Sequence, residues 1–279
     1  MALAAPLRAV QHIAPVVAGR LPYVYTSLYE GGERTPGVFC SGEVPAQQIR
    51  PALARLRDAL GLRRWCIVGD DYIWPRASAV LARHYCHELG VDVVDEVFVP
   101  YGTYDLAPAA ERVAASRAQA VLMLLVGHDA VLFNREFAQR DLHSRITRFS
   151  PLMEENMLLA SGTDATVGLY AAAAYFNTLA THDALDLMSA YTRRHGAHAP
   201  PLNNMAESCH EGILVLASLH RAATGCELPD LLRVGESVGF DGPRGPMQLG
   251  RGLCSQRVYL ARAEGLNFDI IEELKSGTL

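Results

Sequence analysis

Trp65-Cys66-Ile67-Val68-Gly69-Asp70-Asp71-Tyr72-Ile73-Trp74-Pro75-Arg76 is the stretch that decides how this chain folds. Its first four residues are an unbroken apolar run, Gly69-Asp70-Asp71 is a turn signal, and Pro75 opens a helical pattern that continues to Leu89. Strand, turn and helix in that order make half of a βαβ unit. The same alternation repeats on either side. Helical patterns cover Pro45 to Leu60, Pro75 to Leu89, Pro108 to Ser116 and Asp129 to Gln139. Strand patterns cover Trp65 to Gly69, Val91 to Val99, Ala120 to Val126 and Val167 to Ala172. This spacing predicts an α/β fold with a parallel sheet and helices on both faces. Continuous apolar runs such as Val121 to Val126 are what a doubly covered sheet requires.

The flanks read differently. Pro6 to Gly19 predicts a surface helix feeding a strand at Pro22 to Tyr25. Beyond Ala180 the pattern turns helical, at Asp183 to His195, Met205 to Ala223 and Asp230 to Gly235, with a Pro-containing linker from His198 to Asn204. Gly239 to Pro246 is glycine-rich and introduces extended segments at Met247 to Gly250 and Gln256 to Glu264. The expected organisation is a complete lobe over residues 42–197, with 1–41 and 198–279 both belonging to another.

Half of the 279 residues are hydrophobic and a fifth are charged, which excludes disorder as the main state. Thirty acids against 25 bases give a net charge of −5, which argues against direct nucleic-acid binding through a basic surface. The longest apolar runs, Ala120 to Val126 and Leu169 to Phe176, fall well short of the ~20 residues that cross a bilayer. The six cysteines are scattered with no C-x-x-C pair. They read as reduced core thiols, Cys66 within a strand and Cys209 on a helix, which leans towards the cytoplasm. Arg8, Gln11 and His12 interrupt the only stretch resembling a secretion signal. The alternative, a periplasmic or extracellular protein, needs a leader ahead of this start.

Catalytic signals are weak. Neither G-x-G-x-x-G nor G-x-x-x-x-G-K-[ST] follows a strand pattern. Asp70 and Asp71 together suggest a cation, but such turns more often cap the next helix. His84, Cys86 and His87 lack a second ligand pair for zinc, and Cys209 and His210 diverge on a helix. His128-Asp129 follows a strand end and could touch a ligand, although a helix cap is the commoner role for such an Asp. No nucleophile, base and orienter assemble, so no enzyme activity, metal or cofactor is expected. Two aromatic and hydroxyl clusters do stand out: Tyr23 to Gly31 and Gly69 to Arg76. Each follows an apolar strand, and Tyr and Trp offer flat walls with a polar tip, suited to a small neutral ligand.

At these clusters the sequence resembles the type I periplasmic-binding-protein family. The resemblance is to the branch holding urea and short-chain amide solute-binding proteins and the amide sensors of aliphatic amidase operons. It is carried by Tyr29-Glu30-Gly31, PGVFCSGEVPAQQ at Pro36 to Gln48, VGDDYIWPR at Val68 to Arg76, and the segments EVFVPYGTYD, AVLMLLVG and GPRGPMQL in order. It implies two doubly wound parallel-sheet lobes, with the first incomplete because the family's opening βαβαβ run has no counterpart here. It also implies ligand contacts from Tyr25 and Ser27 in the first lobe and from Tyr72 and Trp74 in the second, with Gly127, Glu154 and Tyr175 completing the set. Trp74 stands where relatives carry Tyr or Phe, and Leu28 where they carry Pro. The expected function is non-catalytic sensing of a short-chain amide or urea-like solute, relayed to an antiterminator that controls amide- or nitrile-degrading genes. The alternative is the substrate-binding component of an amide, urea or branched-chain amino acid ABC transporter, with a permease as partner. Homo-oligomerisation is a further expectation.

Overall fold

The chain divides into two compact units, unit 1 being residues 1–44 with 179–257 and unit 2 residues 45–178 with 258–279. The structure is a computed structural model and describes residues 13, 15–17, 19–250 and 253–275. The expected Pro6 to Gly19 helix lies largely outside these.

Unit 1 opens with β1 (Tyr23–Tyr25) and β2 (Val38–Cys40), paired in parallel with Tyr25 opposite Cys40. The chain then builds unit 2 as a strict alternation. Its elements are α1 (Pro45–Leu60), β3 (Arg64–Asp70), α2 (Ile73–Glu88), β4 (Asp92–Val99), α3 (Ala107–Ala115) and β5 (Ala120–Leu124). There follow α4 (His128–Gln139), β6 (Thr147–Ser150), α5 (Glu155–Ser161) and β7 (Leu169–Ala173). Back in unit 1 come α6 (His182–His195), α7 (Asn204–Ala222), α8 (Leu228–Val234), β8 (Gly239–Gly242), β9 (Gly245–Gly250) and β10 (Leu253–Ser255). The chain ends in unit 2 with β11 (Val258–Glu264) and β12 (Asn267–Leu274).

The sheet of unit 2 runs β12-β11-β7-β6-β5-β3-β4. Strands β3 to β7 are all parallel, while β11 and β12 add antiparallel pairs at the β7 side. Every residue of β5 is buried, as its unbroken Ala-Val-Leu-Met-Leu run demands. At the far edge β12 exposes Asp269, with Glu272 and Glu273 beside it, charges that discourage further strand pairing. Between β4 and β7 the order β4-β3-β5-β6-β7 reverses direction after β3, so the sheet has a topological switch point between β3 and β5.

Unit 1 has a five-stranded mixed sheet, β1-β2-β10-β9-β8, parallel from β1 through β2 to β10 and antiparallel beyond. Phe39 of β2, Val215 and Leu219 of α7, Leu231 of α8, and Met247, Leu249 and Cys254 of the sheet make its core.

The α/β class and its elements follow the sequence reading closely in residues 45–140, where α1 has the expected bounds and α2 starts two residues early. The divisions differ. The chain passes between units at 44/45 and 178/179 where the expectation set 41/42 and 197/198, and a third passage at 257/258 was not foreseen. The reasons lie in pairing. The Thr181 hydroxyl donates to Pro243 O at 2.8 Å, tying the start of α6 to unit 1, and β11 pairs with β7 from Tyr259 opposite Ala173 to Arg262 opposite Tyr170. The segment from Val258 on therefore extends unit 2. Cys209 and Cys226 are exposed, not core thiols, whereas Cys40, Cys66, Cys86 and Cys254 are buried, and none of the six forms a disulfide among the described residues. Among the described residues no helix is long and apolar enough to cross a membrane.

Candidate functional site

In an open parallel sheet, loops that follow the strands' carboxyl ends share one edge, and ligands settle at the switch point there. Five expected site residues of unit 2 lie on this edge because each follows a parallel strand: Tyr72 and Trp74 after β3, Gly127 after β5, Glu154 after β6 and Tyr175 after β7. Tyr72, Trp74 and Gly127 flank the switch point itself.

Tyr72 is the residue before the first turn of α2, with extended backbone, and is half-buried against Tyr101 with ring centroids 5.5 Å apart. Trp74, in the first turn, is only 4 % exposed, and its indole N–H has no acceptor among the described residues. A buried donor left this way costs free energy unless a partner arrives, so the position favours a ligand oxygen. Gly127 precedes α4 with φ +55°, a conformation that a side chain would strain. Glu154 is buried, and its carbonyl accepts from the Met157 and Leu158 amides at 3.0 Å each, starting α5. Tyr175 is also buried.

Beneath the edge lie two buried carboxyls. Asp70, the last residue of β3, accepts the Val126 amide at 2.8 Å, and Asp129 of α4 accepts the Gly102 amide at 2.7 Å. Burial pushes the Asp70 carboxyl up, and the neighbouring Asp129 carboxylate adds to the rise. Neither aspartate plays the role its sequence position suggested. Asp70 and Asp71 diverge, Asp71 pairing with Arg76 at 2.8 Å on the surface, and the residue that starts α4 is Gly127.

In unit 1, Tyr25 ends β1 and Ser27 follows it; both are buried, and Ser27 hydrogen-bonds the Tyr25 hydroxyl. Burial holds that hydroxyl well above its ordinary pKa, with Tyr23 and Glu30 reinforcing it. The loop is fixed by backbone bonds from Ser41 N–H to Tyr25 O at 2.9 Å and from Tyr29 N–H to Glu43 O at 3.0 Å. Tyr25 and Tyr29 meet edge to face at 5.9 Å.

In each unit, further residues escaped assignment from the sequence. A Cβ on Gly42 would stand 1.8 Å from the Ser27 carbonyl oxygen, so only glycine lets the two loops approach. Glu30, with Oε2 buried and without a hydrogen-bond partner, is pushed by burial up to about 7. Tyr101 and Tyr104, 65 % and 88 % exposed, follow β4 at the same edge as Tyr72, with Tyr104 6.3 Å from the His128 ring. An aromatic immediately after a strand end was the usable signal, applied to Tyr72 but not to its neighbours.

A parallel, switched sheet with polar aromatics at its carboxyl edge, and a second α/β unit joined to it by three chain passages, are the features that comparison with known folds can place. The model of a family described as "Periplasmic binding protein" matches residues 2–267, and the chain belongs to that family, with the type I fold. Solved structures agree on the fold. A solute-binding protein of an ABC transporter from Rhodopseudomonas palustris HaA2, in complex with p-hydroxybenzoic acid, has a TM-score of 0.88 at 17 % identity and covers 98 % of this chain and 77 % of its own. One from R. palustris, in complex with 4-hydroxybenzoate, has 0.84 at 19 %, covering 95 % and 75 %. The leucine-, isoleucine-, valine-, threonine- and alanine-binding protein of Brucella ovis, in a closed conformation, has 0.82 at 12 %, covering 96 % and 74 %.

Proposed function

We propose that this chain is the substrate-binding component of an ABC transporter, a receptor that binds a small solute without making or breaking a bond and presents it to a membrane permease. The observation carrying this reading is the buried Trp74 indole N–H, unpaired among the described residues and placed beside the switch point between β3 and β5. It suits a solute with a carboxyl or amide oxygen. Tyr25, Ser27, Tyr72 and Trp74 are assigned as ligand contacts, with Gly127, Glu154 and Tyr175 as further members of the set. The same reading puts the protein outside the cytoplasm. A cytoplasmic amide sensor acting through an antiterminator would need the same contacts, but the solved relatives, two of them named as ABC-transporter solute-binding proteins, weigh for transport.

The test is a titration of 4-hydroxybenzoate, benzoate, leucine, acetamide and urea, followed by tryptophan emission and calorimetry. At least one carbonyl- or carboxyl-bearing solute is expected to bind and to change the emission, and Trp74→Phe to remove the change and weaken binding by about tenfold, the loss of one buried hydrogen bond. Binding untouched by Trp74→Phe, or silence across the panel, sinks the assignment. Acetamide and urea binding while the benzoates and leucine do not would return the balance to the amide branch.

A further inference from the structure

Asp70 and Asp129 have a use that ligand contact does not explain. Each spends one oxygen on a loop amide, Asp70 on Val126 and Asp129 on Gly102. Each keeps its other oxygen, Oδ1, buried and without a donor among the described residues, and Asp129 is close enough to act on Asp70 through both its charge and a side-chain hydrogen bond. Two buried carboxylates cannot both hold charge at this range, but one proton taken from solvent and held between them satisfies both orphaned oxygens at once. The bonds then join three loops: the β3–α2 loop that carries Tyr72 and Trp74, the β4–α3 loop that carries Tyr101 and Tyr104, and the β5–α4 loop that carries Gly127 and His128. Of the other charged groups on these loops, Asp71 is engaged by Arg76, Asp105 accepts the Ala107 amide, and His128 lies against Tyr104.

We propose that Asp70 and Asp129 form a proton-sharing pair that clasps the three loops at the switch point of unit 2 and so positions the aromatic side chains that face a ligand. The positioning role rests on the transporter reading above; the clasp itself does not. When the pair ionises, two negative charges face each other out of water and the clasp opens. Since Asp70 is raised to about 8, the opening falls in mildly alkaline solution.

Amide hydrogen exchange on the ligand-free full chain tests the clasp. Asp129→Ala is expected to speed exchange at Gly102 by about tenfold or more, the loss of one hydrogen bond to a charged group. In Asp129→Asn the side-chain oxygen still accepts from Gly102 and its NH₂ donates to Asp70, so exchange stays near the wild-type rate. Between pH 6 and 9.5 the wild type should show extra exchange at Gly102 and Val126, beyond the intrinsic pH dependence, together with a change in Trp74 emission. Both should vanish in Asp129→Asn, which a merely structural hydrogen bond would not produce. An unaltered Gly102 rate in Asp129→Ala, or a wild-type pH response persisting in Asp129→Asn, overturns the shared proton. With 4-hydroxybenzoate as the probe, or whichever panel member binds the wild type, Asp129→Ala should weaken affinity by about tenfold and Asp129→Asn should not. Affinity unchanged in Asp129→Ala overturns the positioning role even if the clasp stands, whereas a panel that binds nothing removes the transporter reading and with it the positioning role, while the exchange results still decide the clasp.

Discussion

Arg244 in unit 1 and Arg148 in unit 2 are both fully buried, but only the first is set among carboxylates. Arg244 pairs with Glu207, donates to Gln256 Oε1 at 2.9 Å, to Asn204 O at 3.2 Å and to Ser208, and has Glu43 at 3.8 Å. Arg148 has neutral acceptors: Asn134 Oδ1 at 2.5 Å, Ala165 O at 2.8 Å and Val167 O at 2.5 Å, with Phe137 beneath the guanidinium at 4.7 Å. Burial lowers the Arg148 pKa, whereas the surrounding glutamates carry Arg244 the other way in spite of its burial. The difference follows chain order. Unit 2 is assembled largely from one continuous stretch, so residues 134–167 supply its arginine locally; unit 1 is assembled from distant pieces, and its arginine draws on residues 43, 204–208 and 256. In unit 1 a charge cluster does the work of a cross-link.

Breaking that cross-link is the largest effect expected. Arg244→Met leaves Glu207 and Glu43 buried without their cation, which costs about 3–5 kcal/mol. Both tryptophans, Trp65 and Trp74, lie in unit 2, so tryptophan emission reads unit 2 while far-UV circular dichroism reads both units. The variant should bring forward a denaturation phase seen by circular dichroism and leave the tryptophan transition nearly in place. Equal shifts by the two probes would break the comparison. Arg148→Met comes next. It strands three neutral acceptors, a loss of about 1–3 kcal/mol, and here the tryptophan transition is the one expected to move.

The same contrast governs how far the sequence could be read. In residues 45–140 each helix has its apolar spacing and each strand its own run, so local pattern and tertiary fold agree, and α1 matched to the residue. Unit 1 offered less. Strands of three or four residues such as β2, β8 and β10 are too short to show an alternation, and what makes them strands is pairing, across a turn where β8 meets β9 and across about 200 residues where Leu253 of β10 meets Cys40 of β2. The third passage between units was invisible for the same reason: β11 looks like any extended segment until β7 is beside it. At the candidate site, the cluster holding Tyr72 and Trp74 stood out because aromatics just after an apolar strand are a local signal, while their assignment as ligand contacts came from the family resemblance. Gly42 and Asp129 were not, since one is needed for the approach of Ser27 and the other for the amide of Gly102, both partners set by the fold.

The smallest expected effect sharpens the comparison most, because it separates the units without removing an arginine. Glu211 of α7 is buried, and burial together with the Glu207 charge pushes it up to about 8 despite Arg244 nearby. An unfolded chain releases this proton in the ordinary carboxylate range, whereas the folded unit keeps it until about pH 8. The stabilising contribution is therefore fully present below the ordinary range and is lost as pH rises through 8. From pH 7 to 9 the loss is on the order of 1 kcal/mol. Glu211→Gln holds a neutral side chain in the same place, so it should flatten the fall in the circular dichroism midpoint over that interval. Unit 2 has its own raised carboxyl at Asp70, so the tryptophan midpoint should keep its alkaline fall in Glu211→Gln and lose it in Asp129→Asn. If Glu211→Gln flattens both, the two buried acids do not act on separate units, and the contrast between Arg244 and Arg148 is one of composition without a consequence for stability.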